Sequence, residues 1–467
     1  PRDPNAPPGA AAPEAVATAG NPNDPNAPPA PPARVPLHGE LAQVGLRTLV
    51  NPYSYWAVGL GTAFLDSRLY AAVSPGFAIY RERWSLALHA PLNLLGAELE
   101  GRKVRYGGLR VRREDWADRS NYLKVIRFLN IGHKEDPFFA SVSSLQPLSM
   151  GHGLLLNRYQ GNITLDQSNT SATIDLSNHI AGAQALVNDL TFQNRIVGGL
   201  AFVKPAFFAE ALPLRTLSVG VETVADLRAP RCVRRGAAAG NPCVRGTGNV
   251  AGKDPYTSVS LDETFVNSDP NTGRYVVDTA TVQALGASLE TKIYQQPEVG
   301  DIKAYATWHT FINAGGGAGS AVGLLGRFNL GEGWIHALRL RTEYRTFTDG
   351  FLPSYFDTTY EANKYEYGFG NSAYQVTPTK YQAIFGDPKN GFARPSIGRR
   401  HGFRVDAQWA LFKGGRTGKR LALAAGIEDS TGPNDSSMYL HLELPAFHAL
   451  QLFVTYLHLN EASFPQL

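Results

Sequence analysis

From Leu338 to Arg345 (LRLRTEYR) the chain alternates without a break: Leu338, Leu340, Thr342 and Tyr344 fall on one side, Arg339, Arg341, Glu343 and Arg345 on the other. Phe403 to Leu411 repeats the pattern, with Phe403, Val405, Ala407, Trp409 and Leu411 opposed to Arg404, Asp406 and Gln408. Met438 to Leu444 sets Met438, Leu440, Leu442 and Leu444 against Tyr439, His441 and Glu443. A period of two is the signature of a β-strand, and the question is what touches each face. In a soluble sandwich the polar face is the wet outside, whereas a membrane barrel inverts this, with lipid against the apolar face and a polar lumen.

The same reading runs from Glu40 to Asn460. Segments 41–50, 55–64, 69–80 and 84–95 are separated by Asn51-Pro52, Asp66-Ser67 and Arg81 to Arg83, short turns of the kind that join antiparallel neighbours. Later strands are expected at 109–113, 121–131, 138–145, 153–159, 173–176, 182–187, 195–203, 214–225, 281–294, 302–313, 321–330, 334–347, 402–412, 421–428, 437–444 and 450–459. An even number, roughly 16–18 strands, is expected for a closed antiparallel barrel. Pro75 and Pro91 interrupt two of these runs and fit bulges or strand ends. Two long interruptions, near 228–280 and 348–398, are expected on the extracellular side or folded into the lumen. Residues 1–38 differ from the rest: they are rich in Pro and Ala, contain DPNAPP twice, and read as a disordered, flexible arm ahead of a barrel domain at 39–467.

Composition narrows the class. Of 467 residues, 43% are apolar, yet no run of eighteen apolar residues exists to make a spanning helix. Glycine (47) and aromatic residues (10%) are abundant. An all-β domain this long exceeds one ordinary sandwich, and closing the sheet in a membrane removes its edges and satisfies every backbone group. The expected fold class is therefore all-β, a single transmembrane antiparallel β-barrel. The net charge of +4, without a block of like charges, gives no sign of nucleic acid as a partner. Pro1 opens into PRDPNAPPGAAAPE with no signal peptide, so a processed, mature chain is expected. The two cysteines, Cys232 and Cys243, sit in APRCVRRGAAAGNPCVRG, a spacing that fits a local disulfide of an oxidising compartment, with two free thiols as the alternative.

These features together, alternating segments, tight turns against long irregular loops and a strand near residue 459, resemble the bacterial outer-membrane β-barrels as a class. The resemblance covers nearly all of the chain beyond the arm and is one of architecture, not of motif. It implies the bacterial outer membrane as the location and outer-membrane lipid as a partner. In size and in its inward arginines and acids the chain is similar to porins and to barrels that export anionic exopolysaccharides. Barrels of this class usually end on an aromatic residue, whereas this chain ends Ser463-Phe464-Pro465-Gln466-Leu467.

The candidate chemistry lies in two places. Arg110 and Arg112, next to the Gly107-Gly108 pair, are expected to point into the lumen with Arg339, Arg341, Arg345 and Arg404, an arginine ladder that would pass anions. The alternative is that acids such as Glu343, Asp406 and Glu428 neutralise them in a packed interior. In the second interruption Tyr355, Tyr360, Tyr365, Tyr367 and Tyr374 could stack on sugar rings, or pack on one another so that the loop folds. Neither a metal nor a cofactor is implied: His133, Glu135 and Asp136 read as a solvated turn. Ser149 and His152 have no Gly-x-Ser-x-Gly element around them, and the chain is expected not to be an enzyme. The function expected is a channel for anionic or sugar-containing solutes, exopolysaccharide export included; the alternative is a closed barrel that anchors or scaffolds an envelope complex. A periplasmic partner could be engaged through residues 1–38.

Overall fold

The computed structural model describes residues 54–461, apart from 163–168, 236–274, 366–378, 414–418, 445–451 and a few shorter turns and single positions. Of the two units into which the chain divides, Pro1–Arg34 lies wholly outside the described residues and Val35–Leu467 carries the fold. The flexible arm expected at 1–38 and the strand expected at 41–50 therefore fall outside them.

Among the described residues nineteen strands form one sheet. In chain order they are β1 (Tyr55–Leu65), β2 (Arg68–Tyr80), β3 (Trp84–His89), β4 (Leu92–Glu100), β5 (Lys103–Val111), β6 (Ile126–Ile131), β7 (Phe138–Ser143), β8 (Ser171–Ser177), β9 (Ala181–Val187) and β10 (Ile196–Val203). They continue with β11 (Ser218–Arg235), β12 (Tyr275–Gln296), β13 (Gly300–Phe311), β14 (Ala318–Leu330), β15 (Trp334–Phe347), β16 (Arg400–Lys413), β17 (Lys419–Ser430), β18 (Ser436–Leu444) and β19 (Leu452–Glu461). From β6 to β19 each strand pairs antiparallel with the next. At the start of the sheet β3 and β4 lie end to end along β2, and β6 and β5 lie along them in turn. The break falls at Ala90-Pro91, where proline has no amide to give to the ladder. Nineteen strands thus fill seventeen positions, which leaves β1 and β19 running in the same direction.

Three departures from the expected elements have local causes. The long interruption at 228–280 is narrower, because β11 runs on to Arg235 and β12 begins at Tyr275, with register shifts at Asp226/Ala229 and Pro230/Cys232 that absorb the proline. Residues 153–159 are not a strand; the run Leu154-Leu155-Leu156 has no polar alternation and is buried whole. At the start of 121–131 the chain makes a short helix, Arg119–Leu123, before β6. The Gly107-Gly108 pair does carry a bulge: Gly108 and Leu109 have φ of +69° and +51° where β5 slips against β4.

Burial decides what the two faces meet. Leu340 is 40% exposed and Val405 41%, whereas Arg341, Glu343, Arg345, Arg404 and Asp406 on the same strands are at most 7% exposed. Val322, Leu324, Tyr344 and Phe403 are exposed in the same outward rows. An apolar exterior around a charged interior is the arrangement of a strand-built wall that faces hydrocarbon outside and a polar lumen inside. Segment 148–159 lies inside the sheet and reaches β11 and β12 at one side and β15, β16 and β18 at another, so the sheet curls round it as a barrel. The chain is a transmembrane antiparallel barrel of the outer-membrane type.

Replacing Leu340 or Val405 by Arg puts a guanidinium in lipid and should lower the folding stability in vesicles by roughly 2–4 kcal/mol for a site near the midplane. Refolding titrations in phospholipid vesicles measure this. Unchanged stability in both variants would contradict the lipid-facing assignment.

Candidate functional site

The interior is built from rows of side chains that the register sets opposite one another. Arg341 of β15 faces Asp406 of β16, and Glu343 faces Arg404, which in turn faces Glu428 of β17. Alternation gives each strand inward charges, and antiparallel pairing places opposite signs side by side. Arg341 donates from Nε to Asp406 at 2.6 Å, and Arg404 donates from Nε to the same carboxylate at 2.7 Å. Arg345 donates to Glu343 at 2.6 Å and to Glu428 at 2.5 Å. The Tyr305 hydroxyl of β13 donates to Glu343, a reach that Gly323 permits, since a side chain there would collide with that hydroxyl. Towards the opposite rim the theme continues, with Lys292 on Asp301 at 2.8 Å and Lys303 on Glu290 at 2.9 Å.

Two segments from the long-loop rim fill the space these rows enclose. The first, 148–159, touches the wall through polar atoms. Its His152 carbonyl accepts from Arg341 at 3.0 Å, and its His152 ring stacks on Tyr305 with centroids 4.2 Å apart while Nε2 lies 3.1 Å from Glu290. With its amide oriented to satisfy its neighbours, Asn157 accepts from both terminal nitrogens of Arg404 at 2.9 and 3.0 Å. Gly151, at φ +52°, lies so close to Glu222 that any side chain would run into the carboxylate, which itself binds His309. The second, residues 351–365 and 379–390, carries short helices Tyr360–Asn363 and Lys380–Phe385; the latter starts at a Thr379–Gln382 capping box. The two are joined by backbone: Leu156 bridges Phe356, Ser354 donates to the Leu154 carbonyl at 2.7 Å and Asn157 to that of Phe356 at 3.0 Å.

Their contact is an apolar core inside the barrel. Leu154, Leu155, Leu156, Phe351, Phe356 and Phe385 are buried together with Phe311 and Phe347 of the wall. Polar ties cross this core. Tyr159 donates to Glu361 at 2.6 Å and receives Asn188 at 2.8 Å, Tyr360 donates to Asp226 at 2.6 Å, and Glu361 pairs with Lys364 at 2.8 Å. Burial, then the neighbouring Glu361 carboxylate, raises the Tyr159 phenol well above its usual range; burial and then Asp226 do the same to Tyr360.

The structure places the sequence-predicted residues as follows. Arg341, Arg345, Arg404, Glu343 and Asp406 come together, and every one of these arginines is ion-paired. Arg339 is half-buried, opposite Arg327 and Gln408. Arg110 shares the inner face with Tyr70 and Leu95 but is exposed, and its strand borders neither β15 nor β16. Arg112 lies past the end of β5, buried on Asp115 at 2.8 Å, so the ladder from Arg110 to Arg404 is not continuous. Tyr355 and Tyr360 are fully buried and Tyr365 is 6% exposed, so they form the core of the inserted segment instead of an open sugar platform; Tyr367 and Tyr374 lie outside the described residues. Cys232 is buried on β11 and Cys243 lies outside the described residues. Among the described residues no cluster of His, Cys, Asp or Glu suits a metal ion. Sequence reasoning missed Glu222, Glu290, Lys292, Lys303 and Tyr305, although inward alternation along β11 to β13 marks them all.

No family model and no curated protein matches the chain. Among solved structures the chain is similar to OmpT, an outer membrane protein of Vibrio cholerae, at TM-score 0.31 and 7% identity over 88% of this chain and 92% of that one. It is also similar to Pseudomonas putida OprB at TM-score 0.30 and 8% identity, over 81% and 87% of the two chains. At this level the likeness carries no activity across. The expectation that the chain is not an enzyme is withdrawn, and its enzymatic status is not established.

Glu343→Gln would leave Arg341 and Arg345 buried with one carboxylate fewer, a loss expected to cost about 3–5 kcal/mol of stability. Chemical denaturation of the refolded barrel measures it. The tyrosines give a pH dependence. Because their folded pKa values lie above the unfolded ones, Tyr159 and Tyr360 contribute stability in full below the ordinary tyrosine range and lose it as pH rises through the folded values. Absorbance at 295 nm should therefore show Tyr159 and Tyr360 among the tyrosines that ionise late, together with release of the inserted segments. Early ionisation of both, with the segments still in place, would contradict their burial.

Proposed function

We propose that the chain is an outer-membrane channel whose lumen is closed by its own residues 148–159, 351–365 and 379–390, and that passage requires these segments to withdraw. The observation that carries this reading is the charged wall behind them. A lumen filled permanently is held as well or better by apolar side chains, because buried ion pairs often lose about 1–4 kcal/mol to hydrophobic replacements of similar volume. Here the wall that meets segment 148–159 is Glu222, Glu290, Arg341 and Arg404, contacted largely through a carbonyl and an amide. Such a wall suits a surface that meets water when the segments leave.

Anionic solutes, polysaccharides among them, fit this reading through the mouth and not through the narrow zone. Lys103, Arg105 and Arg110 are exposed on the inner face of β5 near the long-loop rim; with Arg68 they outnumber Glu98, which the register sets opposite Arg105, and the surplus raises the local concentration of anions. Deeper, Arg341, Arg345 and Arg404 are balanced by Glu343, Asp406 and Glu428. That balance, and the apolar packing of the segments, favour a second reading, a closed barrel that anchors or scaffolds an envelope complex.

Single-channel recording in planar bilayers separates the two. Wild-type protein should show rare, brief openings, and a variant with 352–392 replaced by a short Gly/Ser linker should show steady current with anion preference that weakens with salt. A refolded linker variant without current would favour the scaffold. Cation preference would remove the role given to Lys103, Arg105 and Arg110.

A further inference from the structure

We infer that the connection between β10 and β11, residues 204–217, is a membrane-interface anchor that seats Phe208 and Leu214 among lipid at the short-turn rim. On this rim the neighbouring connections are tight: β8 passes to β9 through 178–180 and β12 to β13 through 297–299. The 204–217 connection is much longer and is ordered by contacts to both sides. The Lys204 amide donates to the Ile180 carbonyl at 2.6 Å, and the Phe207 ring stacks on His179 with centroids 5.9 Å apart. At its far end the helix Leu212–Arg215 leads into Thr216, whose hydroxyl accepts the Lys292 amide at 2.9 Å, while the Thr291 hydroxyl donates to the Pro213 carbonyl. These ties hold the connection against β12 and leave Phe208 84% and Leu214 53% exposed.

Two apolar side chains pinned outward need an apolar medium, and the outer wall says which. Thr291 belongs to the outward row of β12, between Leu289 (46% exposed) and Ile293 (50%), so Pro213 and Leu214 sit against the lipid-facing surface and not over the lumen. Val203 and Val221 extend that surface on β10 and β11. The connection therefore continues the lipid-facing band past the ends of the strands. Arg215 is exposed beside Leu214, the arrangement of an interfacial segment with apolar residues in the acyl boundary and a cation at headgroup level.

Photo-crosslinking tests the occupant. p-Azidophenylalanine placed at position 208 or 214 of the full chain, reconstituted in vesicles of dioleoylphosphatidylcholine and dioleoylphosphatidylglycerol and irradiated, should give lipid adducts by mass spectrometry. The same label at the buried position 351 should give none. A protein adduct of twice the chain mass would overturn the inference in favour of a second copy on this face. Labels at 208 and 214 recovered only as solvent-quenched products, from a barrel whose heat-modifiable mobility on gels shows it folded, would overturn it in favour of an aqueous loop. Neither result bears on whether the barrel conducts, so the anchor and the channel stand or fall separately.

Discussion

A backbone amide in hydrocarbon has no water to turn to, and every other feature of this chain answers that constraint. The amides are satisfied between strands, so each strand must have neighbours on its flanks, and the apolar half of the alternation goes to lipid. The polar half then has nowhere to go but inside. That is why Arg345 is 1% exposed while its neighbour in sequence, Tyr344, is 58% exposed. The charged interior is a consequence of the outside, and its arrangement is the price of spanning with strands.

What the interior does with those charges follows from pairing. Because β15, β16 and β17 run antiparallel in one register, Arg341, Glu343, Arg404, Asp406 and Glu428 meet as a lattice of alternating sign. Each guanidinium has several donors, and the wall acids take only part of them. Arg341 gives one to the His152 carbonyl, and Arg404 gives two to Asn157. The inserted segment thus offers neutral oxygens to cations already matched by carboxylates, and sets its own cation, Arg158, on the ring of Tyr439.

Alternation made the faces of β15, β16 and β18 legible, and with them the inward set Arg341, Glu343, Arg345, Arg404 and Asp406. A period of two tells which residues share a face, but not which strands are neighbours. Hence alternation groups Arg110 and Arg112 with a lattice on strands that β5 does not border, and the bulge at Gly108 and Leu109 carries no cue to what lies opposite. Prolines and glycines around Cys232 read as loop, yet bulges let β11 and β12 continue through them. The tyrosines of 355–365 were visible as a cluster, but composition alone does not separate a binding surface from a packed core. Segment 148–159 is misleading in sequence, because 153–159 reads as a strand while its three leucines follow no strand period and its partners lie on distant strands.

The backbone join between the two inserted segments bears on how the molecule is made. Leu156 and Phe356 are about two hundred residues apart, and every strand from β8 to β15 lies between them. A chain emerging in order has its first segment ready long before the second exists, so during that interval Leu154, Leu155 and Leu156 must be shielded by something else or left in water. Closure of so long a loop is slow and entropically late. The join between the two segments can therefore form only after β8 to β15 exist, and a barrel interrupted before then would hold the first segment without the second.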